Sequence, residues 1–280
     1  GQTLVIALLV ALCVWASLWD WTLAKAMVGV DGNDFGKFYY SARAFVNGEN
    51  MYAPNPATDV GPGRLAEQHF LNMNPPHFHL LILPFVWLPI QVALTVWLAI
   101  SFASFALALY LVVKEVRIEL SALGLLFVAW FVLALVPSQA FFLTGQLSLI
   151  LMLALTISWR EARRGRWGRV GAWLGLCLSV KPFLVIFLPY FAVPRRSWAL
   201  IVALATAAAC FVLGLIVFGI DSYAAWFQAL AESGNWAGIG MNVSILGAFQ
   251  RTFDRTLYFE PAFLNPRLVL WWIPFATLVG

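Results

Sequence analysis

Asp34 is the residue of this sequence best placed to accept a proton. It stands in VDGNDFGKFYYSARAFVNGENMY, residues 30–52. Gly32-Asn33 supplies a turn, 35–47 has helical spacing, and Gly48 suits the left-handed position after a helix, so Asp34 is expected as the N-cap. A helix N-terminus favours negative charge. A carboxylate at the mouth of a cleft could serve as general base towards an acceptor hydroxyl. The alternative is that Asp34 is only a cap. Asp31 lies one turn earlier and is a rival base; Asp20 and Asp59 are weaker ones. Tyr40, Arg43 and Asn47 follow at three- and four-residue steps and share a helical face. The aromatic residues here are equally suited to a membrane-interface belt.

Other polar groups are few, and their positions are informative. Asn74-Pro75-Pro76-His77, with His79, brings amide and imidazole groups to the start of an apolar run. Either histidine could be structural. Thr144-Gly145-Gln146-Leu147-Ser148 opens another apolar run, where Gln146 and Ser148 would glue helices together or line a polar cavity. Lys181-Pro182 sits at the centre of the apolar stretch 170–193. Its lysine either snorkels to an interface or lines a wet cavity. Gly234-Asn235-Trp236 and Gly240-Met241-Asn242-Val243-Ser244 are followed by Arg251, Asp254 and Arg255. No phosphate-binding glycine motif and no acid-any-acid triplet is present, so nothing suggests a nucleotide–metal site or any cofactor. Cys13, Cys177 and Cys210 all fall in apolar stretches, without partners in the sequence pattern, and are assigned to packing.

The elements that carry these groups belong to a membrane protein. Of the 280 residues, 62% are hydrophobic and 11% charged, against about half and about a quarter in soluble domains. The apolar runs approach the ~20 residues that cross a bilayer as a helix. They are not the ~10-residue alternating segments of an outer-membrane barrel. Spans are expected at about 3–28, 90–113, 120–137, 145–159 and 198–219, with a last one starting near Pro266. Pro84 and Pro89 should confine 78–88 to a short helix at the interface. The polar segments are about 29–77 and 220–264. In the first, prolines at 54, 56, 62, 75 and 76 predict ordered loop after the helix.

Positive charge orients the spans. Lys114 and Arg117, then Arg160, Arg163, Arg164, Arg166 and Arg169, then Arg195 and Arg196 make up nine of the 17 basic residues, in three short loops. Positive loops stay in the cytoplasm, so the two polar segments are extracytoplasmic. The net charge of +4 is explained by these loops and is not a nucleic-acid signature. Region 170–193 then has cytoplasmic tracts at both ends and length for one crossing. A broken re-entrant hairpin resolves this: a half-helix in, a turn at Lys181-Pro182, a half-helix back. Irregular backbone at that depth must be buried or line a cavity.

These residues resemble the polyprenol-phosphate-mannose-dependent mannosyltransferases of glycosyltransferase family 87. The resembling pieces are DFGKFYYSARAFVNGENMY (34–52), NPPHFHLLILP (74–84), TGQLSLILMLAL (144–155), GAWLGLCLSVKPFLVIFLPY (171–190), DSYAAWFQAL (221–230) and GMNVSILGAFQR (240–251). Their order and spacing follow the family over nearly the whole chain. Family members are longer, so later spans are expected beyond residue 280. The resemblance implies one GT-C domain over 1–280, an all-α multi-span bundle in the inner (plasma) membrane, with its active site on the extracytoplasmic face. It implies a polyprenyl-phosphate sugar donor, a lipid or glycan acceptor and an aspartate in the first outer loop as base. Asp34 matches that position and Asp31 does not. The cations available to a donor phosphate are Lys181, Arg43 and Arg251; Tyr40, Asn74, His77, Gln146 and Asn242 are the expected substrate contacts.

A transporter or flippase of lipid-linked sugars is the competing reading, since broken helices and a mid-membrane lysine occur there too. A long outer loop with a capped acid is not needed by a transporter, and no internal repeat is visible. A non-catalytic assembly subunit would have no use for Asp34.

Overall fold

A computed structural model describes residues 34–58, 71–117 and 144–232, with isolated positions between 119 and 131. The expected span at 3–28, Asp20, Asp31, Asp59 and Cys13 lie outside the described residues. So do most of the span at 120–137, the segment after Glu232 with Asn242 and Arg251, and the final span.

Five α-helices carry the described fold: α1 (Asp34–Val46), α2 (Ile90–Val116), α3 (Ser148–Arg163), α4 (Trp167–Val180) and α5 (Ser197–Glu232). Among the described residues there is no strand. Asp34, the first described residue of this segment, is already in α1, and the expected cap geometry at Gly32-Asn33 lies outside the described residues. The other end of α1 closes as the sequence predicts. Gly48 adopts φ 76°, its amide donates to Phe45 O at 3.0 Å, and the Glu49 amide donates to Ala44 O at 2.8 Å. This pair of bonds satisfies carbonyls that the helix end would leave orphaned.

The interfacial helix expected at 78–88 is instead two 3-10 turns, Pro76–Leu81 and Leu83–Phe85. Prolines at 75, 76, 84 and 89 remove the amides a continuous α-helix needs. The spans are displaced by a few residues from expectation, α2 ending at Val116 and α3 running Ser148–Arg163. The polar segment expected from residue 220 begins as helix. Gly219 at φ 75°, ψ 168° breaks α5, a conformation for which glycine is suited. The part beyond it folds back, bringing Tyr223 to Phe211 with ring centroids 4.5 Å apart.

The bundle has two chemically different ends. At one end the last turn of α2 meets the last turn of α3: Glu115 pairs with Arg160 at 3.0 Å, Arg163 at 3.4 Å and Arg164 at 3.3 Å. Buried Glu161 pairs with Arg164, Arg166 and Arg169 at 3.4–3.5 Å. Arg196 stacks on the same end, 4.2 Å from the Tyr190 ring and 5.6 Å from that of Trp167. At the other end lie α1, both 3-10 turns, the start of α3 and the end of α4. There the core is aromatic: Phe35, Phe38, Tyr39, Phe78, Phe85 and Trp97 are buried together.

α4 runs from the arginine end towards the α1 end and stops at Val180. Lys181 is non-helical at φ −125°, ψ 86°. A 3-10 limb, Pro182–Phe191, then returns until Phe191 faces Trp167 with centroids 6.5 Å apart. The chain therefore reverses at Lys181-Pro182, and its second limb is 3-10 where an α half-helix was expected. α4 packs tightly on α5. A Cβ on Gly171 would meet Ala199 O at 2.3 Å, and one on Gly175 would meet Ala203 O at 2.5 Å. Small residues four apart on both helices let the backbones approach, the packing that joins helices where surrounding lipid removes a hydrophobic drive.

The outside of the bundle is apolar. Phe183, Ile186, Ile216 and Ile220 are each about 70% exposed or more, and among the described residues two helices are long and apolar enough to cross a bilayer. Trp87 and Trp198 stand 78% and 60% exposed, one beside the α1 end and one beside the arginine end. Indole rings at two levels are what the two interfaces of a bilayer select.

Candidate functional site

The site forms where α1 starts, because a glycine lets two distant segments touch. Gly145, at φ 66°, leaves no room for a side chain: a Cβ there would stand 2.6 Å from Phe35 Cβ. The indole N–H of Trp97 donates to Gly145 O at 2.8 Å and fixes this turn against α2. The next residue, Gln146, then donates its amide N–H to one carboxylate oxygen of Asp34. Lys37, one turn along α1, reaches the other oxygen at 3.0 Å. Lys181 follows Val180, whose side chain packs on the aromatic cluster that holds Phe35, the neighbour of Asp34. Asp34, Gln146 and Lys181, separated by up to 147 positions, are thus gathered at one end of the bundle. Lys37 was not among the sequence candidates, although its three-residue spacing from Asp34 was a readable signal.

A second polar cluster lies behind this one. Buried Asn72 donates to Ser41 Oγ at 3.0 Å and to His79 Nε2 at 2.7 Å, and its Oδ1 accepts from Asn74 N and Nδ2, both at 3.0 Å. Tyr52 donates its hydroxyl to Asn74 O at 2.7 Å. Burial holds the Tyr52 phenol far above its usual range, so it remains a donor. His79 is fully buried; its Nδ1–H donates to Pro76 O at 3.2 Å, and Nε2 accepts from Asn72. Burial pushes the His79 ring down to about 4, and it is held neutral. Asn74 thus has protein partners, and Asn72, which carries no signal in its sequence context, is the hub.

His77 links three elements. The carbonyl of Ser179 can only accept, so His77 Nε2 carries the hydrogen and donates to it at 2.9 Å. His77 Nδ1 lies 2.9 Å from the Tyr223 hydroxyl, whose proton is shared with Phe211 O at 3.1 Å. Burial lowers the affinity of His77 for a second proton, with the Ser179 contact opposing in part.

Tyr40, Arg43 and Asn47 do share one face. They line a pocket of about 330 Å³ closed by Glu49, Asn50 and Asn55. This pocket does not include Asp34, Gln146 or Lys181. Arg43 is nine residues along α1 from Asp34, roughly 13 Å of rise. A separate apolar cavity of about 370 Å³ runs beneath His77 between α3, α4 and α5, lined by Leu147, Leu151, Trp173, Cys177 and Leu213. Among the described residues no three His, Cys, Asp or Glu side chains come together to hold a metal ion.

A family model described as Glycosyltransferase family 87 matches residues 72–280. A curated relative from Mycobacterium tuberculosis is 29% identical over 236 residues, covering 78% of this chain and 53% of its own length. It is the polyprenol-phosphate-mannose-dependent alpha-(1-2)-phosphatidylinositol mannoside mannosyltransferase. The chain therefore spans about half the length of that relative. No solved structure matches.

Proposed function

Since the chain belongs to glycosyltransferase family 87, we propose that it acts as a membrane mannosyltransferase using a polyprenyl-phosphate mannose donor, with Asp34 as the base. The observation that carries this reading is the Asp34 carboxylate held by Gln146 and Lys37, with Lys181 at the same end of the bundle, away from the arginines.

One displacement suffices. Asp34 takes the proton of an acceptor hydroxyl as its oxygen bonds to the sugar anomeric carbon. The bond from that carbon to the phosphate oxygen breaks, and the electron pair leaves with the polyprenyl phosphate. Configuration inverts, so a β-linked donor gives an α-linked product. The phosphate goes from one negative charge as a diester towards two as a monoester. Lys181 is placed to stabilise that growing charge through a fixed cation. Arg43 lines a different pocket, with Tyr40 and Asn47, which suits the hydroxyl-rich acceptor. Arg251 and Asn242 remain candidates for donor phosphate and substrate.

Positive loops belong to the cytoplasm, which puts the Asp34 end outside, in the inner (plasma) membrane. The limbs on either side of Lys181 each rise about 20 Å, short of the ~30 Å hydrocarbon thickness. A re-entrant hairpin that presents Lys181 to a wet cavity fits both lengths. The acceptor is a lipid-linked glycan by analogy with the relative's phosphatidylinositol mannoside. The family assignment leaves a lipid-linked sugar transporter without support. Purified protein supplied with a panel of polyprenyl-phosphate sugars and membrane lipid extracts tests the reading: mannose should transfer, and transfer of no sugar from any donor would overturn it.

A further inference from the structure

We infer that His77 is a positioning residue for the donor-phosphate site: it holds the last turn of α4 and so sets where Lys181 points, rather than contacting substrate itself. This rests on the reading of Lys181 given above.

α4 ends at Val180 because Pro182 has no amide to donate to the carbonyl four residues back, Leu178. Non-helical Lys181 turns the following amides away from the α4 axis. The carbonyls of the last turn are left to find other donors, as helix ends require. Lys181 N still closes on Cys177 O at 2.9 Å. The Ser179 carbonyl is taken by His77 Nε2 at 2.9 Å, from a residue 102 positions earlier. This carbonyl is two residues before Lys181, at the pivot of the reversal.

The ring that makes this bond is itself fixed on its other side. Tyr223 meets Nδ1 at 2.9 Å, and Gly214 of α5 gives both residues their space. A Cβ on Gly214 would lie 2.1 Å from the Tyr223 hydroxyl and 2.7 Å from His77 Cβ. The backbone of the Pro76–Leu81 turn, the end of α4 and the folded-back part of α5 therefore meet in one imidazole. With both ring nitrogens occupied by protein groups, His77 has no free polar atom for a sugar or phosphate. This replaces its sequence-based assignment as a substrate contact.

The test is a double-mutant cycle on the full chain, with initial rates measured against polyprenyl-phosphate mannose concentration. His77→Leu should raise the donor KM about 10-fold and leave the acceptor KM unchanged. His77→Gln can place an N–H where Nε2 stood, and should stay within about 3-fold of wild type. Lys181→Met should raise the donor KM at least ~10-fold, and adding His77→Leu to it should cost little more, because the histidine acts through the lysine. Effects that multiply in the double variant would overturn this inference alone. Lys181→Met with a wild-type donor KM would overturn the phosphate reading and this inference with it. Should His77→Leu fail to fold, Tyr223→Phe loosens the same ring and carries the same cycle, with an expected effect of about 3-fold.

Discussion

Trp97 Nε1 donates to the carbonyl oxygen of Gly145 at 2.8 Å, across 48 residues and at the mouth of the candidate site. The bond is buried, so its loss would leave an unpaired donor or acceptor away from water. It fastens the turn before α3 to α2, and the residue after that turn is the one that holds the Asp34 carboxylate. A tryptophan of α2 thus bears on the Asp34 carboxylate two residue contacts away. Phe35 completes the arrangement, its ring 5.6 Å from that of Trp97 and its Cβ against Gly145.

Gly145→Ala should damage both stability and activity. The residue sits at φ 66°, and the new methyl would fall 2.6 Å from Phe35 Cβ. Left-handed backbone costs a non-glycine residue about 1–2 kcal/mol, and overpacking adds a similar amount. The turn should shift and draw Gln146 off Asp34. Thermal unfolding in detergent together with turnover checks this; a variant with wild-type midpoint and wild-type turnover would show that the close approach is not needed.

Asp34→Asn keeps the side-chain shape and removes the proton acceptor. General-base contributions are typically ~10²–10⁴-fold, so turnover should fall by that much while donor KM changes little. Gln146→Ala leaves the carboxylate in place but frees one of its oxygens, and should cost less than Asp34→Asn. Near wild-type transfer by the asparagine variant would leave Asp34 as the start of a helix and nothing more, and Asp31→Asn would then be the variant to make.

The parts legible in the sequence were those with a short-range physical signature. Prolines at 84, 89 and 182 marked breaks, Gly48 marked the end of α1, and the arginine tracts marked one end of the bundle. Asp34, Gln146 and Lys181 were each noticeable as polar groups in apolar surroundings. Their convergence was less so, because the turn that joins Gln146 to Asp34 depends on a close approach between Gly145 and Phe35 over 110 residues. Asn72 gave no signal, since an asparagine in a loop looks the same whether it is a hub or solvated. Arg43 shared a face with Tyr40 as its spacing implied, yet a helix face says nothing about which pocket it borders. The 3-10 turns at 76–85 replaced the expected helix because prolines at 75, 76, 84 and 89 together remove the amides a continuous α-helix needs.

Labelling should place the two ends on opposite sides of the membrane. In a background without native cysteines, Glu49→Cys lies in the exposed turn after α1, and Arg169→Cys lies in the arginine cluster with its native side chain 67% exposed. An impermeant thiol reagent added to intact cells should modify position 49 and spare position 169 until the membrane is opened. The reverse pattern would put the Asp34 end in the cytoplasm and remove the extracytoplasmic assignment of the site.

Acid should unfold the α1 end through His79. Its ring is neutral and fully buried, held between Asn72 and Pro76, with its proton affinity lowered from 6.5 to about 4. Above pH 6.5 the ring is neutral whether the chain is folded or not, and it contributes no pH dependence. As pH falls from 6.5 towards 4 the unfolded chain takes up a proton that the folded one refuses, so stability drops. Each unit is worth about 1.4 kcal/mol, giving a loss of about 3 kcal/mol that levels off below pH 4, where the folded ring is protonated too. His79→Gln would start from lower stability, having exchanged a fitted ring for an amide. Its unfolding midpoint should nevertheless change less between pH 6.5 and 4 than that of the wild type. Equal slopes for the two proteins over that window would show that the titrating group lies elsewhere.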